Sequence, residues 1–491
     1  MTQPIRTSHS HPLQIATLTT PVGGRIGVTF CPGKTQASAM SGQWSRDLAT
    51  DLDAVHDWGA CVVVTLIEEH ELAALQVSDM GEAVAARHMD WYHLPIRDVT
   101  APGKAFEAAW ASAGAELRHR LACGFDVLIH CKGGLGRAGT VAARLLVELG
   151  EEPDEVIRKL RQTRPGAIET REQERHVRAC RPVAPSIRDT SASAIRDRAM
   201  GALLGLAVGD AVGTTLEFRA RDSYPLLTDM IGGGPFRLAP GEWTDDTAMA
   251  LALADSLCDI DDLDEADLMR RFVSWRDEGT YSHNQRCFDI GTTTSAALSR
   301  FRHSGDPVAG STDPASAGNG SLMRLAPVAI RFHRDRTKLV DVAARQSRTT
   351  HAAPEAVEAC VAWAQMLADA IDGRPLGEIL RTCPEGLSGH IEAICRGSWR
   401  GKARHEVQAS GYVAHSLEAS LWSIGCSGTF QQAILTAANL GEDADTTAAI
   451  TGQLAGAAWG ASAIPGEWRE RLAWKARIEA MAMGLLEDTG M

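Results

Sequence analysis

Two domains of different class, an α/β layer followed by an all-α body, are what this sequence predicts, and three observations carry the prediction. The chain has 491 residues, too many for one ordinary core. Up to about residue 180, short runs rich in Val and Ile alternate with helical stretches, the pattern of a central sheet with a parallel core flanked by helices. Beyond that point long Ala/Leu-rich helical stretches dominate, glycine-rich loops separate them, and no convincing strand is found.

Taken in order, "ACVVVTLI" (60–67) reads as a buried strand and "KAFEAAWASAGAELRHRLA" (104–122) as a helix. "DVLIHC" (126–131) is a second buried strand, and "RAGTVAARLLVELG" (137–150) a helix with Val141, Leu145 and Leu149 on one face. "RPVAPSIRDTSASAIR" (181–196), with its prolines and serines, reads as a linker between domains at 1–180 and 197–491. Helices are then expected at 198–209, 247–258, 354–371, 414–424 and 446–459, with no internal repeat of fixed period.

Composition narrows the function. A chain 44% hydrophobic and 23% charged is an ordinary globular one. A formal net charge of -13 weighs against nucleic acid as the main partner, because a phosphate backbone needs a basic face. Eleven scattered cysteines, with no CxxC pair and no Cys/His zinc spacing, suit reduced thiols rather than a disulfide framework. The opening "MTQPIRTSHSHPLQ" has no apolar signal core. The small-residue run near 448–465 carries Gln453 and several glycines, so it reads as a packed helix and not a membrane span. No membrane partner and a cytoplasmic location are the expectations.

The first chemical signal is "HCKGGLGRAGT" (130–140): an apolar strand ending in Cys131, a glycine-rich turn, then Arg137 opening a helix. Backbone N–H groups of such a turn and the helix start converge on one spot and favour an anion there. The same field favours the thiolate of a cysteine placed at that spot. The planar fork of Arg137 can grip two phosphate oxygens, and the glycines let backbone come close. An inert or redox thiol is the bland alternative, but Cys123 lies before the strand and is poorly placed as a resolving partner. "HCKGGLGR" resembles the H-C-x5-R signature of cysteine-dependent protein phosphatases, and "CKGGLGRAGTVAARLL" is similar to the kinase-associated, dual-specificity branch, over roughly residues 20–178.

That resemblance implies a phosphatase fold for the α/β domain, a thiophosphate on Cys131 and a phosphate cradle from Lys132, Gly133, Gly134, Leu135, Gly136 and Arg137, with no cofactor. Asp98, in "HLPIRD" (93–98), becomes the candidate general acid, and Gln173, in "RPGAIETREQE" (164–174), the candidate for orienting water. The family usually has Ser or Thr after the arginine, where this chain has Ala138, with Thr140 two positions on. A slow phosphatase, or a reader of phosphorylated ligands, is therefore the alternative reading of this domain, as is a regulator of its neighbour.

The second signal is a pair of acidic clusters about 200 residues apart, "GEWTDDTAMALALADSL" (241–257) and "NLGEDADTTAAITGQLAG" (439–456). Each is a glycine-led loop running into a helix, so Thr244 or Asp443 could simply N-cap it while the other acids complement its dipole. As a pair, Thr-Asp-Asp and Asp-x-Asp-Thr would instead supply oxygens for two hard cations sharing a carboxylate, and the absence of His and Cys weighs against zinc. "RAMGALLGLAVGDAVGTTLE" (198–217), "WTDDT" (243–247), "AGNGSLMRLAPVAI" (317–330) and "GEDADTTAAITGQLAGAAWG" (441–460) resemble four motifs of the ADP-ribosylglycohydrolase family, over about 197–485.

This resemblance implies an all-α ADP-ribosylglycohydrolase fold and two Mg²⁺ or Mn²⁺ ions held by Thr244, Asp245, Asp246, Asp443, Asp445 and Thr446. It places Glu217 near the scissile ribose, a diphosphate on Asn319, Gly320 and Ser321, and ribose near His351 in "SRTTH" (347–351). Glu217 or Asp246 would activate water, and Asp210 reads as a hydrogen-bonding core residue. The expected whole is a bifunctional hydrolase acting on ADP-ribosylated and phosphorylated substrates.

Overall fold

Strands are confined to the N-terminal part of the chain among the described residues. In the computed structural model, which describes residues 5–39, 42–184 and 189–487, the chain divides into Met1–Pro185 and Ser186–Met491. The first unit holds seven strands: β1 (Ala16–Thr19), β2 (Arg25–Phe30), β3 (Thr35–Ala39), β4 (Gly42–Ser45), β5 (Ala60–Thr65), β6 (Asp90–His93) and β7 (Asp126–Cys131). Five form one sheet in the order β1-β2-β7-β5-β6. All its pairings are parallel except the antiparallel edge pair β1–β2. The two apolar runs read as strands are its centre, and every residue of β7 is buried. β3 and β4 pair separately as a hairpin that the apolar periodicity gave no hint of, since "TQASA" is mostly polar and none of its residues is buried.

Helices Lys104–Ala122 and Gly136–Glu148 follow the two predicted segments closely. Twelve of the thirteen residues of Gly136–Glu148 are buried. The parallel strands end together, so Phe30 and Cys131 pair across β2–β7, and Thr65 and His130 across β5–β7. The crevice beyond the carboxyl ends of such strands is where α/β sheets bind ligands.

The second unit is helical, with isolated bridges but no named strand among its described residues. Residues 192–196, placed in the linker by their serines, instead open helix Ala192–Gly213. Ser191 is its cap, its hydroxyl accepting the Ala194 N–H at 3.3 Å. This helix is long and apolar enough to cross a membrane by composition, yet 89% of its apolar window is buried inside the protein.

What buries it is helix Ala444–Trp459, running antiparallel. Gly201, Gly205, Gly209 and Gly213 face Gly456, Gly452, Ala448 and Ala444, and a Cβ on any of the four would collide with the facing backbone carbonyl. The glycines are there because the two backbones nearly touch. Antiparallel register then puts the end of the first helix, with Asp210 and the following Glu217, against the start of the second, with Asp443 and Asp445. Helices Asp245–Asp259, Pro354–Ile371 and Val413–Gly425 lie within two residues of their predicted bounds.

Candidate active sites

In the N-terminal unit, Cys131 ends β7 and is buried, and the Gly134 N–H reaches its Sγ at 3.3 Å. Gly134 has φ +70, and a Cβ there would strike the backbone of Thr29 and Phe30. Only glycine lets the loop fold down on β2. Lys132 and Leu135 are half-buried, Gly133 is exposed, and Gly136 and Arg137 are buried at the helix start.

Arg137 is held on several sides. It pairs with both carboxylate oxygens of Glu71 (2.5 and 3.0 Å), donates to the Ile96 carbonyl (3.0 Å) and lies 3.0 Å from Asp98. Burial alone would raise the Glu71 carboxyl, but the Arg137 hydrogen bonds, the Glu68 N–H and the charges of Arg137 and Lys132 together hold it below the usual range. Asp98 stands more than half exposed. Arg137 and Asp98 thus meet, and Cys131 ends the strand before the turn that leads to Arg137.

Two expectations fare differently. Thr140 cannot replace the missing hydroxyl, because its Oγ1 donates to the Gly136 carbonyl at 2.7 Å, back along its own helix. Gln173 is fully buried and closes a capping box with Thr170, its side-chain oxygen accepting from Glu169 and Thr170 (2.9 and 3.2 Å) while its amide donates to the Thr100 carbonyl (3.1 Å). Its shown work is to tie the loop after Asp98 to the helix at 171–179. Sequence reasoning missed Glu71, and Arg164, which donates to the Gly134 and Gly133 carbonyls at 3.2 and 3.4 Å.

In the C-terminal unit the two acidic clusters meet. Thr244 Oγ1 lies 3.3 Å from Asp445 Oδ2 and 3.4 Å from Asp246 Oδ2, and Thr446 Oγ1 lies 3.3 Å from Asp246 Oδ2. The capping explanation of these acids does not hold, since neither Thr244 nor Asp443 caps its helix through its side chain. Other acids do that work. Asp210 accepts the N–H and hydroxyl of both Thr244 (2.9 Å each) and Thr247 (3.0 and 2.6 Å), and Glu217 accepts the N–H groups of Ala444 and Asp445 (2.9 and 3.4 Å). The clustered acids thereby come face to face.

Their oxygens form two triads, Asp210–Asp246–Asp445 and Glu217–Asp443–Asp445, each with its members within 4.8 Å and Asp445 common to both. Burial, then the charge of Asp445, pushes Asp210 up to about 7. Asp443 and Asp445 are also pushed up to about 7, burial again the first cause, and Asp245, Asp246 and Glu217 are raised well above the carboxylate range. The buried Asp246 Oδ1 has no hydrogen-bond partner. Oxygen-only donors, a shared carboxylate and an orphaned buried oxygen fit hard divalent cations.

Asp245 joins neither triad but lines an open cleft of ≈ 810 Å³ together with Glu217, Asp289, Asp443 and Asp445. Asn319, Gly320 and His351 line the same cleft. Asn319 is fixed there by donating to Asp443 (2.7 Å) and Ser416 (2.9 Å). Ser321 is not part of the cleft wall: its hydroxyl turns inward to Ser347 at 2.8 Å, completely buried. His351 supports Gly320 from below, and burial, then the Arg324 charge, lowers it to about 3, so it is neutral.

Asp289 was missed by sequence reasoning. It has φ 61, lines the cleft, and is pushed up to about 7 by burial and by Asp210 and Asp443. Its signal was present: "DIGTTT" (289–294) sets an acid before glycine and threonines at the start of helix Thr292–Ser304, as in the two clusters that were noticed.

Residues 191–491 match the family described as ADP-ribosylglycohydrolase, and residues 36–177 the Swiss Army Knife protein, DSP-PTPase phosphatase domain. An ADP-ribosylarginine hydrolase Tri1 of Pseudomonas putida (strain GB-1) is 47% identical over 291 residues, 59% of this chain and 78% of that protein. The ADP-ribosyl-[dinitrogen reductase] glycohydrolase of Rhodospirillum rubrum is 34% identical over 58% of this chain and 93% of its own. The solved structure of an ADP-ribosylglycohydrolase-related protein complex superposes with a TM-score of 0.53 at 38% identity, covering 60% of this chain and 99% of that one.

Proposed function

The chain belongs to the ADP-ribosylglycohydrolase family, and from that premise we propose that its C-terminal unit hydrolyses the bond between ADP-ribose and an arginine side chain. The sharing of Asp445 by two acid triads is the observation that carries this reading. The 47% identity to an ADP-ribosylarginine hydrolase favours arginine as the acceptor. Two Mg²⁺ or Mn²⁺ ions would be held by Asp246, Asp443 and Asp445, the last being the member common to both triads, with Thr244 and Thr446 adding hydroxyls. When bound, such ions supply Lewis-acid fixation of ribose hydroxyls and make nearby water more acidic.

The chain's own residues do the rest. Glu217 lines the cleft while Asp246 does not, so Glu217 takes the role of activating water. Its Oε2 is fixed by two backbone N–H groups, leaving Oε1 for the water proton. Asp245 and Asp289 line the cleft and offer carboxyl oxygens to the ribosyl carbon as it becomes cationic. Release of free ADP-ribose from arginine-, serine- and phosphate-linked substrates, with and without Mg²⁺ or Mn²⁺, tests this. Release from the arginine linkage that needs the cation and vanishes in Asp245→Asn is expected; no release from any linkage overturns it.

For the N-terminal unit the proposed reaction is hydrolysis of a phosphate monoester. The Cys131 thiolate attacks phosphorus as the ester oxygen leaves with the Asp98 proton, and water then cleaves the S–P bond, returning a proton to Asp98. Ala138 and the averted Thr140 hydroxyl favour a second reading, a pocket that binds phosphate with little turnover. A burst of one equivalent from p-nitrophenyl phosphate followed by a stall supports the second; steady release supports the first.

A further inference from the structure

We propose that Lys34 supplies the stabilisation of a sulfur anion that the missing hydroxyl at position 138 would otherwise give by hydrogen bonding: its ammonium group underlies the phosphate loop and favours Cys131 as a thiolate. This rests on the phosphatase reading of the loop, though its test does not need turnover.

Lys34 lies between β2 and β3 and is only 6% exposed. Its Nζ donates to the Lys132 carbonyl at 3.3 Å, the residue next to the thiol. The approach is dictated by the sheet: Phe30 pairs with Cys131, and the Cys31 N–H also points at the Lys132 carbonyl, at 3.5 Å. The rings of Phe30 and Trp44 stand 4.7 and 4.9 Å from Nζ, offering π faces that hold a cation without neutralising it.

Among the described residues, no carboxylate pairs with this ammonium. The nearby Asp51 is taken by Arg46, through two hydrogen bonds of 2.6 and 2.7 Å, and by the Gly33 N–H. An ammonium has three N–H groups, and Lys34 spends one on a neutral carbonyl. Such a buried, uncompensated cation is costly unless it serves an anion that comes and goes.

The other positive groups around the thiol are differently placed. Arg137 has its charge balanced by Glu71 and Asp98, and Arg164 is engaged by two loop carbonyls. Cys31, beside Lys34, is driven upward by burial and stays a neutral thiol. Burial lowers Lys34 to about 8, which leaves it mainly charged at neutral pH. Cys131, the residue before that carbonyl, is the group whose negative charge it would meet when water breaks the S–P bond and sulfur leaves with the electron pair.

The test is the alkylation rate of Cys131 by iodoacetamide at pH 7 in the full chain, read by peptide mapping. Lys34→Gln is expected to slow it about 10-fold, since a rise of one unit in a thiol costs tenfold in thiolate. Lys34→Arg keeps the rate within about 3-fold, because the charge remains. Adding Ala138→Ser to Lys34→Gln restores most of the loss, whereas Ala138→Ser alone changes the parent little. Lys34→Met, which fills the space between the two rings, is the second variant if Lys34→Gln melts early. Unchanged alkylation in a folded Lys34→Gln or Lys34→Met chain, or no rescue by Ala138→Ser, overturns the role of Lys34. Absence of any p-nitrophenyl phosphate burst in the parent overturns the phosphatase reading instead and leaves the alkylation result to stand by itself.

Discussion

The thiol loop and the carboxylate cleft use the same element, the start of a helix, for opposite electrostatic ends. In the N-terminal unit no side chain caps the helix start and Arg137 lies in its first turn, an arrangement that suits an anion. In the C-terminal unit the helix starts at 245 and 444 are already capped by Asp210 and Glu217, so the remaining acids face one another, an arrangement that suits cations. The lesson is that an acid at a helix start carries little meaning until its N–H partners are counted. Where another acid has taken them, the first is free to bind.

The comparison breaks most sharply if each site can be removed alone. Cys131→Ser should reduce phosphate release to background with ADP-ribose release unchanged. Asp445→Asn should cut ADP-ribose release about 10³-fold, the loss of several kcal/mol of charge stabilisation, while the phosphate burst persists. Loss of both activities in either variant would mean that the units are not chemically separate.

A smaller effect tests how the cleft is assembled. Gly452→Ala drives a methyl group into the Gly205 carbonyl and should cost about 3 kcal/mol, at the upper end for overpacking. Thermal melting of the full chain should show the lost stability together with weaker cation binding, because the same helix pair sets the distance between the triads. A wild-type melting curve would show that the helices part freely.

How much of this was legible follows from the physics of each signal. Strong apolar runs exposed β5, β7 and the long helices, and residue chemistry exposed Cys131, Arg137, Asp246, Asp443 and Asp445. The β3–β4 hairpin was illegible because its strands are short and lack an apolar face. Glu71 was hidden because its meaning lies in a tertiary partner, Arg137, 66 positions away. The inward turn of the Ser321 hydroxyl was not legible because the family motif names a turn but does not say which way its side chains point.

Acidification should separate the metal-free and metal-loaded states. The folded, metal-free cleft holds protons up to about pH 7 on Asp210, Asp443, Asp445 and Asp289, which the unfolded chain releases near its ordinary carboxylate values. Their pKa is raised on folding, so their contribution to stability grows as pH falls from about 7 and shrinks as pH rises through it. Chelated protein should therefore gain a few degrees of melting temperature between pH 7.5 and 5.5, on the scale of about 2–4 °C per kcal/mol. Saturating Mg²⁺ should flatten or reverse that trend; an identical pH trend in both states would show that the acids do not bind the ion.

The smallest effect is expected from Thr140→Val. Its hydroxyl serves only its own helix, so phosphate burst and turnover should stay within about 2-fold, given that such i−4 back-bonding is at most weakly consequential. A larger fall in turnover would place that hydroxyl at the thiol after all.

The most direct test of the central claim is calorimetric titration of the chelated full chain with Mn²⁺. If the two acid-bearing helix starts jointly hold cations through Asp445, the parent binds two ions and Asp445→Asn loses both high-affinity sites. Mn²⁺ binding by Asp445→Asn equal to that of the parent, or no binding by the parent at all, would contradict it.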